Sequence, residues 1–296
     1  MALTILPLSS TVHIALVGDS IMRYQYYSLV EYIMHSYFWD NVTTLQYQKG
    51  SGSSNEYDVG IQMNHNSYEP FEECDCFTYK DAPEGNFTKD YCENRYFLDS
   101  ESNISISFHV FLGNLPSIGH WNPHEVHSRH SYDYNTTSAP SWIYGLSELI
   151  EHHISLLNPR PDWIVLNCGH WPNNFKSLPY REEVIRALHR AGIKWAWRTT
   201  TATRDGKPSV KRTTTAHIAS IDRFMCRMAS ACVATHFTYD LSERAFVDNV
   251  HFVNAVYHII NSIMISQLNL DIPNHKSTAL HQLMMTLRRD PPQAEN

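Results

Sequence analysis

The strongest constraint on how this chain can fold is a hydrophobic pattern that keeps switching period, from short apolar runs to amphipathic helical stripes. The run VHIALV at 12–17 leads into a helical stretch from Ser20, whose apolar positions include Ile21, Leu29, Ile33 and Met34. The second half repeats the alternation more regularly. Trp142, Leu146, Leu149, Ile150, His153 and Leu157 mark a helix, and 162–166 reads as a buried strand. Val184, Ile185 and Leu188 mark the next helix, which Gly192 is placed to end as its C′ residue. Residues 194–199 are strand-like, Ile218, Ile221, Met225, Met228 and Cys232 mark another helix, 233–237 is a last strand, and a final helix starts near His251. Strands alternating with helices of this length predict an α/β fold of βαβ units, its parallel sheet covered on both faces.

Five strands fit that sheet, at 12–17, 43–47, 162–166, 194–199 and 233–237. A sixth, ISISFHVFL at 104–112, reads as an edge strand of an inserted region. Polar sequence rich in Ser, Asn, Asp and Tyr fills 51–103, and 113–140 is rich in His. The expected organisation is therefore one α/β domain over 1–270 with insertions at about 51–103 and 113–140, then a flexible tail at 271–296. Loops of that length are commonly lids or binding surfaces. With 43% hydrophobic residues among 296, a single core is ample, burying about 75% of the unfolded surface at this size.

The charge balance, 23 Lys+Arg against 30 Asp+Glu, gives −7 with no basic block, which argues against nucleic acid or an anionic membrane surface as partner. The most apolar stretch, 252–270, is interrupted by Asn254, His258, Asn261, Ser262, Ser266, Gln267 and Asn269. It reads as a buried helix, and no membrane span is expected. Residues 1–10 lack the basic start of a signal peptide. Sequons nevertheless stand at Asn41, Asn86, Asn103 and Asn135. If they are used, a targeting segment lies upstream of this chain. Among the six cysteines, Cys92 is placed to bridge to Cys74 or Cys76, and Cys168 ends an apolar strand. Cys226 and Cys232 lie six apart on the predicted helix, so they are not expected to pair with each other.

Ligands of open parallel sheets bind beyond the carboxyl ends of the strands. After the first strand comes Gly18-Asp19-Ser20, which puts Ser20 at a helix N-terminus, among unpaired backbone N–H groups and the positive end of the dipole. A nucleophile gains there, although Ser is also an ordinary helix cap. Before the last helix, Asp248 stands three residues ahead of His251, close enough to fold back and orient its imidazole. After 162–166 comes Asn167-Cys168-Gly169-His170-Trp171, where the Asn167 amide can donate to a developing oxyanion, a contribution of about 3 kcal/mol. Gly50, or equally Gly52, follows the strand at 43–47 and permits close backbone approach.

Together these blocks resemble the SGNH, or GDSL-type, hydrolase superfamily: serine in GDS, glycine, asparagine, then a DxxH pair, in that chain order over roughly 12–265. GDSIMRYQ, with Arg23 three residues after the serine, and VLNCGHW are similar to blocks of the plant trichome-birefringence-like proteins and the related PC-esterase group. That resemblance implies a three-layer doubly wound sheet of flavodoxin-like order and O-acetylation chemistry on polysaccharides and glycans. It implies Ser20 as nucleophile, His251 as base and Asp248 as its orienting acid. The oxyanion hole would come from the Ser20 N–H, the Gly50 N–H and Asn167. Cys168 stands where the superfamily usually has Asp, and the glycine block is weak. The plant group's cysteine-rich leader and anchor are absent from this chain. Family and sequons point to the secretory pathway or Golgi lumen, while the chain alone is compatible with the cytoplasm.

Substrate-contact roles are expected for Arg23, His170 and Trp171, with an intramolecular salt bridge as the plainer role for Arg23. His120, His124, His127 and His130 recur at four, three and three residues, but Pro123 and polar neighbours make this a loop without an HExxH pattern. No metal and no cofactor are therefore expected. Trp121, Tyr132, Tyr134, Trp142 and Tyr144 offer rings for sugar stacking or for ordinary packing.

The expected activity is a serine-dependent O-acyl, most simply O-acetyl, esterase or acyltransferase acting on a carbohydrate or glycan. Hydrolysis and transfer share one acyl-serine intermediate and differ in whether water or a sugar hydroxyl attacks it. Transfer also needs an acyl donor. The rivals are a non-catalytic carbohydrate-binding member of the fold and a lipid or small-ester esterase. The complete Ser20, Asp248 and His251 set argues against the first, and the polar insertions against the second.

Overall fold

The computed structural model describes residues 12–35, 71–78, 91–113, 115–125, 141–167, 170–171, 174–204, 215–246, 249–270 and 272. The apolar run at the start is β1 (Val12–Gly18), buried along nearly its whole length. With β2 (Glu72–Thr78), β3 (Tyr91–Asp99), β4 (Ile104–Val110), β7 (Trp163–Leu166), β8 (Lys194–Arg198) and β9 (Ala231–Val233) it forms a seven-stranded sheet ordered β2-β3-β4-β1-β7-β8-β9. The five strands from β4 to β9 in that order pair in parallel, and β2 and β3 add to the β4 edge as antiparallel strands. A separate two-stranded sheet joins β5 (Ser117–Gly119) to β6 (Trp142–Tyr144). The fold is α/β with a mostly parallel central sheet.

Five described helices accompany the strands: α1 (Ser20–His35), α2 (Leu146–His152), α3 (Leu178–Ala191), α4 (Thr215–Met228) and α5 (Asn254–Leu268). Alternate residues of the central strands point to opposite sides, as the period of two requires. Ala15, Val17, Ile164, Leu166, Trp195 and Trp197 pack with Leu149, Ile150, Val184, Leu188, Ile221 and Met225 of α2 to α4. Ile14, Leu16, Val165 and Ala196 pack with Tyr26, Leu29 and Val30 of α1 and with Met264 and Ile265 of α5. Gly192 ends α3 in the left-handed region, φ 65°, as its position predicted.

Several expectations are corrected. The strand at 104–110 lies in the middle of the sheet, parallel to β1, and is not an edge strand of an insertion. The stretch 51–103 is not all loop, because β2 and β3 extend the main sheet. Their charged side chains are buried against one another. Arg95 Nε donates to Glu93 at 2.9 Å and its Nη1 to Glu72 at 3.4 Å, while Arg23 Nη1 reaches Glu93 at 2.9 Å. Tyr26 donates its hydroxyl to Glu72 and Tyr27 to Glu93, completing a buried charged layer that fastens α1 to the antiparallel strands. The helix expected from Trp142 starts only at Leu146, and 142–144 is β6. Trp121 and Trp142 are core residues and not available for sugar stacking, with Trp142 donating to the Trp121 carbonyl. Tyr132 and Tyr134 lie outside the described residues.

The cysteines also differ from expectation. Helix α4 ends at Met228, so Cys232 falls on β9 and pairs with Cys226 in a disulfide, their Cα atoms 5.0 Å apart. The chain reverses between them, which a continuous helix would forbid. Cys92 is a buried free thiol, and Cys74 is disulfide-bonded elsewhere. The strand at 43–47, Gly50, Gly52, Asp248, Cys168 and nearly all of the tail at 271–296 lie outside the described residues. No described helix is long and apolar enough to cross a membrane.

Candidate active site

Taken in chain order, the parallel strands β1, β4, β7, β8 and β9 stand in the order 2-1-3-4-5. Connections leave the sheet in opposite directions from β1 and its neighbour β7, which opens a crevice at their carboxyl ends. The residues at those two ends are Gly18-Asp19-Ser20 and Asn167. Gly18 is required by close approach: a Cβ there would lie 2.8 Å from the Asn167 carbonyl oxygen and 2.9 Å from Met22 Cβ.

Asp19 is buried and caps α1. Its Oδ1 accepts the Ile21 N–H at 3.1 Å, and its carbonyl accepts the Arg23 N–H at 3.0 Å. The capping task therefore does not fall on Ser20, the first residue of the helix. The Ser20 hydroxyl instead lies 2.7 Å from Nε2 of His251, a residue 231 positions away in the chain. That is hydrogen-bond distance for a nucleophile and its base.

His251 sits on a loop pinned on both sides. Phe252 forms an isolated antiparallel bridge with Phe246, their rings 4.7 Å apart, and donates its N–H to the Tyr257 hydroxyl. The Asn249 carbonyl accepts the Arg204 N–H at 2.9 Å. Ile21 of α1 packs in the same apolar cluster as Phe252, Val256 and Tyr257, so the Ser20 helix and the His251 loop share one core. The Tyr24 ring meets the His251 ring edge-on at 5.1 Å and stacks on Tyr257 at 5.8 Å.

Asn167 is held in one orientation by Arg198 at the end of β8. Its Nδ2 donates to the Arg198 carbonyl at 2.6 Å, and its Oδ1 accepts from Arg198 Nη2 at 2.8 Å. His170 is 5% exposed, and neither ring nitrogen has a hydrogen-bond partner among the described residues. Burial lowers its pKa, Asp19 opposes that shift, and Arg198 and His251 add to it, which places the imidazole in the field of all three. Trp171, beside it, is 42% exposed. Arg23 gives its guanidinium to Glu93, the plainer of its two expected roles.

The structure thus brings Ser20 and His251 into contact, sets Asn167 at the adjacent strand end and buries His170 near both. Asp248 and Gly50 lie outside the described residues. Sequence reasoning missed three participants. Asp19 was visible only as the middle letter of GDS. Arg198 ends β8 with no recognisable motif around it. Among the described strands the second parallel one is β4, and the glycine that follows it is Gly113, at φ 73°, where an added Cβ would run into the Trp171 carbonyl. No family model, no curated protein and no solved structure matches the chain.

Proposed function

We propose that this protein is a serine-dependent O-acyl esterase or acyltransferase of SGNH type, with a three-layer arrangement, acting on O-acetyl groups of a carbohydrate. The observation that carries the reading is the 2.7 Å contact between Ser20 Oγ and His251 Nε2. It joins a serine freed from capping to a histidine at the crevice where such sheets bind ligands.

In the proposed reaction the Ser20 hydroxyl attacks the acyl carbonyl carbon and passes its proton to His251 Nε2. The tetrahedral oxyanion takes hydrogen bonds from the Ser20 N–H at the start of α1 and from the Asn167 amide. Gly50 is the proposed third donor. Collapse expels the sugar hydroxyl, which recovers its proton from His251, and leaves acetyl-Ser20. Water or an acceptor sugar hydroxyl, deprotonated by His251, then attacks to restore Ser20. Asp248 is the proposed orienting acid of His251. The exposed Trp171 ring supports a sugar at the crevice, and the unpaired nitrogens of the buried His170 support a polar substrate group beside it.

Intact-protein mass spectrometry after incubation with p-nitrophenyl acetate tests the reading. One acetyl adduct mapping to Ser20, absent from Ser20→Ala, is expected. An adduct that persists in Ser20→Ala moves the nucleophile elsewhere, and no adduct on folded protein with acetyl and longer acyl donors refutes the enzyme reading.

A further inference from the structure

On the antiparallel side of the sheet, away from Ser20, three metal-ligating side chains from separate strands converge. Asp75 comes from β2, Cys92 from β3 and His120 from the residue after β5. One ligand atom from each lies within 4.8 Å of the other two. The Asp75 and His120 side chains are 2% and 7% exposed, and Cys92 is buried. We propose that Asp75, Cys92 and His120 bind one divalent transition-metal ion of borderline softness, of which Zn²⁺ is the type.

The local hydrogen bonding favours a cation. The Cys92 sulfur lies 2.9 Å from the Asp75 carbonyl oxygen and 3.0 Å from that of Ile118, although its single S–H proton serves only one at a time. The Asp75 carboxylate adds two more acceptors. They are met by the His120 backbone N–H at 2.8 Å and by His120 Nδ1 at 3.0 Å. Asn94 Nδ2 is shared among Ile118 O at 2.9 Å, Cys92 Sγ at 3.2 Å and Asp75 Oδ2 at 3.5 Å. Five acceptor atoms crowd one buried volume, and a metal ion there exchanges the single S–H proton for bonds to three of the side chains. The ion replaces the Cys92 proton, which leaves to solvent, and forms bonds to the thiolate, one carboxylate oxygen and one imidazole nitrogen.

The donor set selects the metal. A thiolate with an imidazole suits Zn²⁺ and disfavours Mg²⁺ and Ca²⁺, which take oxygen ligands. Three protein ligands leave a fourth position for water or a nearby carbonyl. A second layer is already built, because His109 Nδ1 bonds to Asn94 Oδ1 at 3.2 Å and so fixes the amide that points at the sulfur. The ion would tie the β5–β6 pair to the β2–β3 edge, a structural task separate from ester chemistry. The His-rich stretch contributes a ligand after all, but one histidine, with partners the spacing of the histidines does not reveal.

The test uses the full chain with its disulfides intact, stripped with a chelator and titrated with Co²⁺. One equivalent is expected to produce a near-ultraviolet thiolate-to-cobalt charge-transfer band and tetrahedral visible bands, both abolished when Zn²⁺ is added. Cys92→Ser should lose the charge-transfer band, and His120→Gln should weaken binding by at least ~10-fold. Because wild-type protein alone decides the first point, a misfolded variant does not obscure the outcome. Wild type that takes up no cobalt with a thiolate band overturns the proposal, as does a band unchanged in folded Cys92→Ser.

Discussion

Replacing Arg23 by Met tests whether the charged layer under α1 acts as a balanced unit. The layer holds two cations, Arg23 and Arg95, against two carboxylates, Glu72 and Glu93. Breaking a fully buried pair costs 3–5 kcal/mol, because it strands the remaining charge. Glu93 is 2% exposed, but Arg23 is 16% exposed, and Glu93 keeps Arg95 Nε at 2.9 Å and the Tyr27 hydroxyl at 3.3 Å. The expected loss is therefore below that range, about 2–3 kcal/mol. Glu93→Gln in the same chain removes the stranded charge and leaves Arg95 facing Glu72 alone. The double variant should be more stable than the two single losses added together imply, by about 1–2 kcal/mol of coupling. Urea unfolding provides the assay, with unchanged m-values confirming that only stability moved. Losses that add to within about 0.5 kcal/mol would refute the reasoning. An Arg23→Met protein as stable as wild type but with a raised KM would return Arg23 to substrate binding.

Three further outcomes are expected. His170→Leu should stabilise the free protein by about 1–3 kcal/mol by removing unpaired buried nitrogens, while lowering kcat/KM for an acetylated sugar; equal turnover would separate His170 from the substrate. Gly18→Ala should destabilise by about 1–3 kcal/mol, since its Cβ meets backbone at Asn167, and should lower kcat more than KM; a silent substitution would show the two strand ends to be less tightly fitted. Burial lowers the pKa of His153 and His258 to about 3 each and that of His109 well below its usual value. The unfolded chain then binds more protons than the folded one from about pH 6.5 down to about 3, so stability is full above that window and falls on acidification. His153 and His258 each contribute on the order of 2 kcal/mol of loss at pH 5, and His258→Gln should flatten the dependence by about one proton.

How much was legible follows from what each residue buries against. The central strands and α3 were readable because their apolar patterns face apolar cores, and the meeting of Ser20 with His251 was readable because both stand in short, recognisable blocks. β2 and β3 were not, because Glu72, Asp75, Glu93 and Arg95 look like solvated loop residues until they are seen to neutralise one another. The central place of β4 was hidden because a strand buried on both faces carries no mark of its neighbours. The end of α4 lacks a Gly or Pro, so nothing in the sequence separated Cys226 from the strand that carries Cys232.

The position of β1 bears on how activity arises during synthesis. His13 on this strand bonds to Ser107, 94 residues later, and its N–H bonds to Asp162, 149 residues later. Closing contacts of such range is slow, and the sheet cannot accept β1 until both neighbours have been made. The strand that delivers Ser20 precedes both of its sheet neighbours in the chain and is enclosed only once β7 is made. No nascent fragment ending before residue 251 holds both Ser20 and His251, so the ester turnover proposed above would report completed folding more sharply than any measure of secondary structure.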